Sequence, residues 1–222
     1  MSRPQKTFVI AMWVVAVGAM MSILAMRMLP AGESAETSAG VAGTSGSVTP
    51  DTDLPVLYNA PTFTLTDQDN VRFGSDQLRG RPWVADFIFT TCASLCPVMS
   101  AHMETLQTQL PAEVRLVSFS VDPEHDTPAV LREYASHYNA QPGRWIFLTG
   151  DLKTQTQIVN SMKLIFQPAT GDQPIQHDQH FVLVDGLGRV RGYYDSYAPE
   201  DMTNLIRDAQ YLSDHGDGGS QP

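Results

Sequence analysis

The chain has 222 residues, 42% of them hydrophobic and 17% charged, with a formal charge of −10, length enough for one domain with a real core plus appendages. From Glu33 onward 11 basic residues face 24 acidic ones, which excludes nucleic-acid binding through a basic surface. The two cysteines, Cys92 and Cys96, stand too close together to staple a fold and read as a local reactive or metal-binding pair.

In chain order, Thr7 to Met26 is twenty residues without a charge, flanked by Arg3, Lys6 and Arg27. At 1.5 Å per residue it spans a bilayer core of about 30 Å, and it exceeds the roughly 7–15 apolar residues of a cleavable leader. Residues 1–30 are therefore predicted to be an uncleaved, single-pass membrane anchor. The basic residues at its start place the remaining chain outside the cytoplasm, on the periplasmic side of the inner membrane in a bacterial cell. Residues 31–53 are rich in Gly, Ala, Ser and Thr and read as a disordered linker.

The folded domain is expected over residues 54–212, followed by a polar, disordered tail over 213–222. Phe63–Phe73 predicts a hairpin around Asp-Gln-Asp-Asn. Strands are predicted at Trp83–Thr90, Val114–Val121, Trp145–Leu148, His180–Asp185 and Val190–Tyr194. Helices are predicted at Pro97–Leu110, Pro128–Tyr138, Leu152–Met162 and Pro199–Leu212, with Thr127 as an N-cap before Pro128. Strands that alternate with helices, then a hairpin and a closing helix, give an α/β sandwich with a mixed central sheet.

Cys92 and Cys96 sit between an apolar strand and a helix, where the positive end of the helix dipole favours thiolate. Thiolate serves both metal binding and disulfide exchange, and a third ligand would separate the two. Thiolates select a soft ion such as Cu(I), and an imidazole makes the site tolerant of Cu(II). Of the six histidines, His137 and His215 are expected to face solvent. His102 falls nearly opposite the cysteines on their helix. His125, after a strand, is a candidate secondary ligand. His177 and His180 lie in the loop entering the strand expected beside Trp83–Thr90. Met99 and Met103 are expected to pack in the core. Asp86, inside an apolar strand, is costly to bury and should have a raised pKa, with a hydrogen-bonded structural role expected for it.

Three segments resemble the SCO/SenC proteins, thioredoxin-like copper chaperones of cytochrome c oxidase assembly, over about Ala60 to Leu212. They are Phe87-Ile-Phe-Thr-Thr-Cys-Ala-Ser-Leu-Cys-Pro97, Val121-Asp-Pro-Glu-His-Asp-Thr-Pro128, and His177 ahead of Phe181-Val-Leu-Val-Asp-Gly-Leu-Gly188. The resemblance implies a thioredoxin-like fold and a copper site of Cys92, Cys96 and His177. It also implies, as partner, the copper-bearing subunit of cytochrome c oxidase or another copper chaperone. Two positions depart from the family pattern: Ala93-Ser94 replaces a common Pro-Asp, and His125 stands where arginine is frequent. The alternative reading is a thiol-disulfide reductase in which Cys92 attacks, Cys96 resolves and Asp86 relays protons. Against it, His177-Asp-Gln-His180 occupies the place where such reductases carry a proline. A peroxidase reading lacks its Pro-x-x-x-Thr-x-x-Cys motif.

Overall fold

The computed structural model describes residues 54–168 and 175–216. The predicted membrane anchor, the linker and the chain beyond residue 216 lie outside them. Among the described residues no helix is long and apolar enough to cross a membrane.

The chain begins with a short edge strand, β1 (Tyr58–Asn59), and the predicted hairpin, β2 (Thr64–Asp67) and β3 (Arg72–Gly74). Its turn forms because the Asp67 carboxylate accepts the N–H groups of Asp69 and Val71, and Asn70 takes the left-handed conformation that its short polar side chain tolerates. A 3₁₀ turn (Ser75–Leu78) leads to β4 (Trp83–Ile88). There follow α1 (Leu95–Gln109), β5 (Arg115–Ser120), α2 (Pro128–His137), β6 (Trp145–Thr149) and α3 (Leu152–Ser161). Two strands too short to show periodicity, β7 (Phe166–Gln167) and β8 (Gln176–His177), pair with each other. The hairpin β9 (His180–Val184) and β10 (Arg189–Asp195) precedes α4 (Pro199–His215).

The main sheet has the order β1-β10-β9-β4-β5-β6-β2-β3. β4, β5 and β6 are parallel, and β9 runs antiparallel to β4 through Trp83↔Val184 to Ala85↔Val182. The expected neighbour relation of the His180 strand and the cysteine-bearing strand is thus present. β4 is buried along its whole length, as a central strand covered on both faces must be. Trp83, Ala85 and Phe87 face one core with Phe119, Ile158 and Val159. Val84 and Ile88 face the other, filled by Met99, Met103, Leu131 and Leu205. Met99 and Met103 are core residues, as expected. Successive right-handed crossovers from β4 to β5 to β6 put α1 and α2 on one face, and α3 covers the other.

Element boundaries moved by up to three residues. Thr127 caps α2 as predicted, accepting the Val130 N–H, with Pro128 behind it. α1 starts at Leu95, so Pro97 is its third residue, inside the first turn where a missing N–H breaks no helical hydrogen bond. α4 continues to His215, three residues past its expected end, and buries Leu205, Asp208, Ala209 and Leu212.

Candidate metal centre

The loop after β4 is set by a buried carboxylate. Asp126 accepts the Thr90 N–H at 3.2 Å on both oxygens, the Thr90 hydroxyl at 2.5 Å and the Ser120 hydroxyl at 2.6 Å. Burial pushes the Asp126 carboxyl up against the opposing pull of those donors. The second motif thereby fixes the residue two before Cys92. Replacing Asp126 with alanine should strand these donors and cost about 2–4 kcal/mol of unfolding free energy in a denaturant titration. A cost within about 0.5 kcal/mol would show that Asp126 does not hold the loop.

Cys92 is not helical. It lies in the turn ahead of α1, half-buried, and its Sγ accepts the Cys96 N–H at 3.5 Å. Cys96 is in the first turn and fully buried. The two thiols consequently part company. Partial burial pushes the Cys92 thiol up, but the Cys96 and Ser94 backbone N–H groups and the neighbouring Cys96 thiol and Ser94 hydroxyl outweigh it, so its pKa is lowered. Cys96 is driven strongly up, first by burial, then by the nearby Cys92 and Asp86 charges. The expectation that the helix end ionises both sulfurs holds for Cys92 alone. One equivalent of iodoacetamide at pH 8 should label Cys92 and spare Cys96 in a peptide mass map, and equal labelling would contradict this asymmetry.

His177 comes from β8, whose register with Phe166 carries it over the cysteine loop. Its Nδ1–H donates to the Asp178 carbonyl at 2.8 Å, and since a carbonyl can only accept, Nε2 keeps its lone pair. Nε2 lies 3.1 Å from Cys96 Sγ, and the ring meets Phe89 edge-on at 5.6 Å. Burial lowers the imidazole pKa more than the Asp178 carbonyl and carboxylate raise it, which keeps the ring neutral and able to ligate.

Cys92 Sγ, Cys96 Sγ and His177 Nε2 all lie within 4.8 Å of one another. Metal–sulfur and metal–nitrogen bonds of about 2.0–2.3 Å let one ion touch atoms up to roughly 4.6 Å apart, so the trio closes on an ion with shifts of tenths of an ångström. Two sulfurs and one imidazole fit a soft or borderline ion. The cavity above them, about 500 Å³, is lined by Phe89, Thr91, Leu95 and Ile175 besides Cys92 and His177, with no Asp, Glu, Lys or Arg among the described residues that line it.

The other candidates stand apart from this cluster. His125 is 66% exposed with its Nδ1 on Asp122, and is not among the grouped ligand atoms; the secondary-ligand reading is corrected. His180 is partly exposed and bound to Asp178. His102 is half-buried on α1, and His137 and His215 are exposed, as expected. Asp86 is fully buried on the face that α1 covers, in register with Ser118. Burial lifts its pKa to about 7, and Ser118 offsets this only in part. Among the described residues neither carboxyl oxygen meets a donor at ordinary hydrogen-bond geometry, with Ser118 standing across the strand pair.

Residues 52–210 match the protein-family model described as SCO1/SenC. The chain is 37% identical over 164 residues to the SCO1 protein homolog of Bacillus subtilis (strain 168), covering 72% of this chain and 85% of that relative. It is 36% identical over 161 residues to a Stutzerimonas stutzeri protein named for copper binding, covering 69% and 76%. Among solved structures, BsSco, described as a member of the Sco family of cytochrome c oxidase assembly proteins with a disulfide switch, superposes with a TM-score of 0.61. It shares 38% identity, over 71% of this chain and 94% of that one. The chain belongs to the SCO1/SenC family, and its mixed sheet with flanking helices is that family's thioredoxin-like frame.

Proposed function

We propose that this protein is a membrane-anchored copper metallochaperone that carries one copper ion on Cys92, Cys96 and His177 and delivers it to the binuclear copper centre of cytochrome c oxidase. The observation that carries this reading is the convergence of two sulfurs and one neutral imidazole within 4.8 Å at the floor of a cavity. The copper-binding name of the Stutzerimonas stutzeri relative and the oxidase-assembly role stated for BsSco support the ion and the recipient. Copper is cargo here. Cys92, the more exposed sulfur, is the first ligand an acceptor thiolate can displace; Cys96 and His177, deeper in the site, hold the ion until further acceptor ligands arrive. The uncharged run Thr7–Met26 supports the anchor, and the basic residues before it support a domain on the periplasmic side of the inner membrane.

The test is to load the full chain with one equivalent of copper and mix it with the metal-free copper-bearing subunit. Growth of the acceptor's binuclear-centre absorption, matched by copper lost from the chain, supports delivery. Failure of transfer, with the dithiol form instead reducing an acceptor disulfide, favours the second reading.

That second reading, a thiol-disulfide reductase, draws on the lowered Cys92 thiol and on buried, unpartnered Asp86. In it the Cys92 thiolate attacks the acceptor disulfide and expels one acceptor thiolate. Cys96 then attacks the Cys92 sulfur, with its proton going to Asp86, and releases the second acceptor thiolate. The chain is left as a Cys92–Cys96 disulfide. His177 Nε2 beside Cys96 serves copper better than this exchange, which is why delivery is preferred.

A further inference from the structure

The charges of the described domain are separated along the strand direction. The parallel strands end at the metal mouth, and around it stand Asp122 and Glu124 after β5, Asp151 after β6, Asp178 before β9, Asp195 ending β10 and Glu200 opening α4. The opposite end collects arginines. Gly80 N–H donates to the Gly186 carbonyl, Arg115 N–H to the Pro82 carbonyl and Leu116 N–H to the Arg144 carbonyl. Those bonds bring Arg79, Arg81, Arg115 and Arg144 to the end where β4, β5 and β6 start. Arg189 and Arg191 join them and are held by the buried Asp185 carboxylate. Arg144 donates to the Leu110 and Pro111 carbonyls that follow α1.

Arg79 and Arg81 are exposed and Arg115 is half-buried, and their side chains make no hydrogen bond or ion pair among the described residues. Burial, and then the charge of Arg81, lower the Arg115 pKa, so two cations are held close without a shared counter-charge. Glu113 and Asp214 offset this end only in part. In a chain of formal charge −10, a basic end opposite an acidic mouth has an electrical polarity that a charged surface can read.

Arg191 also donates to the Leu54 and Pro55 carbonyls, which places the start of the described chain at the basic end. The 23 residues from Ala31 to Asp53 that precede it are rich in Gly, Ala, Ser and Thr, so the anchored reading keeps the domain near a bilayer without itself fixing its orientation. An anionic headgroup layer would set it, because its field acts on basic residues within about a Debye length, roughly 8–10 Å.

We infer that Arg79, Arg81 and Arg115 form a docking face for anionic lipid headgroups, which turns the metal mouth away from the bilayer that the anchor crosses. The inference rests on the anchored reading of Thr7–Met26. It adds to copper delivery a fixed presentation: the mouth points outward, where a partner's copper-bearing domain can meet it, and the acidic rim is repelled by the same lipid.

The test uses the full chain in lipid nanodiscs, with a fluorophore on Cys92 and an acceptor dye on the lipid headgroups. Discs of phosphatidylcholine alone are compared with discs containing an equal part of phosphatidylglycerol. Energy transfer should fall about two-fold in the anionic discs and return toward the neutral-lipid value in high salt. The double variant Arg79→Glu/Arg81→Glu should abolish the difference between lipids. Lys153→Glu, the same kind of charge reversal at the mouth end, should preserve it. Equal transfer in both lipids, or a Lys153→Glu effect as large as the arginine one, overturns the oriented docking while leaving the anchor in place. A chain that does not enter the discs overturns the anchored reading and the docking with it.

Discussion

His177→Ala lowers copper affinity at least about 100-fold, roughly 3 kcal/mol, and lowers it more for Cu(II) than for Cu(I). The asymmetry follows from the ligand set. Two thiolates alone satisfy a soft monovalent ion, whereas the divalent ion gains more from the imidazole. The alanine variant should still fold, since His177 belongs to the small β7–β8 pair and not to the main sheet. Among the described residues its side chain hydrogen-bonds the Asp178 carbonyl and the Cys96 sulfur alone. Competition titrations against a chelator in each oxidation state check the result. An unchanged Cu(II) affinity would remove His177 from the site. His180→Ala is the control and should bind copper as the parent does, because its imidazole is turned to Asp178 and outside the cluster.

Asp86→Asn should stabilise the protein at pH 8 by on the order of 3 kcal/mol and change it little at pH 4. An unfolded aspartate releases its proton near 3.8, and the buried one releases it near 7. Between those values the folded state binds more protons than the unfolded state, so stability falls as the pH rises and the penalty is complete above about pH 7. A neutral isostere removes the slope. Denaturant unfolding across pH 4 to 8 measures it, and parallel pH profiles for parent and variant would show that Asp86 titrates normally. The same variant separates the two functional readings. Copper affinity should survive it, whereas a reductase that passes the Cys96 proton to Asp86 should slow.

A carboxyl kept in the core with its pKa lifted to about 7 is the feature on which the reductase reading rests. The sequence marks the residue, as an acid six positions before Cys92, but not its isolation. Its surroundings are set by tertiary contacts, among them the Trp145 indole N–H given to the Ser118 hydroxyl at 2.9 Å across the strand pair, a contact 27 residues away in sequence. Other features divide the same way. β4, β5 and β6 are legible as apolar runs between helices, and Thr127-Pro128 announces the start of α2. The β7–β8 pair is not legible, because two-residue strands have no period. Without it, His177 and His180 look equivalent as loop histidines, and the resemblance alone prefers the first. The Asp126–Thr90 lock was visible only as two separate motifs. His125 was only a candidate, because its position at a strand end is shared with binding residues, whereas its side chain is drawn off to Asp122. The split between the thiols depends on where α1 begins, a boundary displaced two residues from Pro97.

X-ray absorption on the copper-loaded full chain tests the central claim most directly. One copper per chain, bound by two sulfurs and one imidazole nitrogen, with the nitrogen contribution lost in His177→Ala, is the predicted result. Copper that binds through nitrogen and oxygen alone, or a wild-type spectrum unchanged by that substitution, would contradict it.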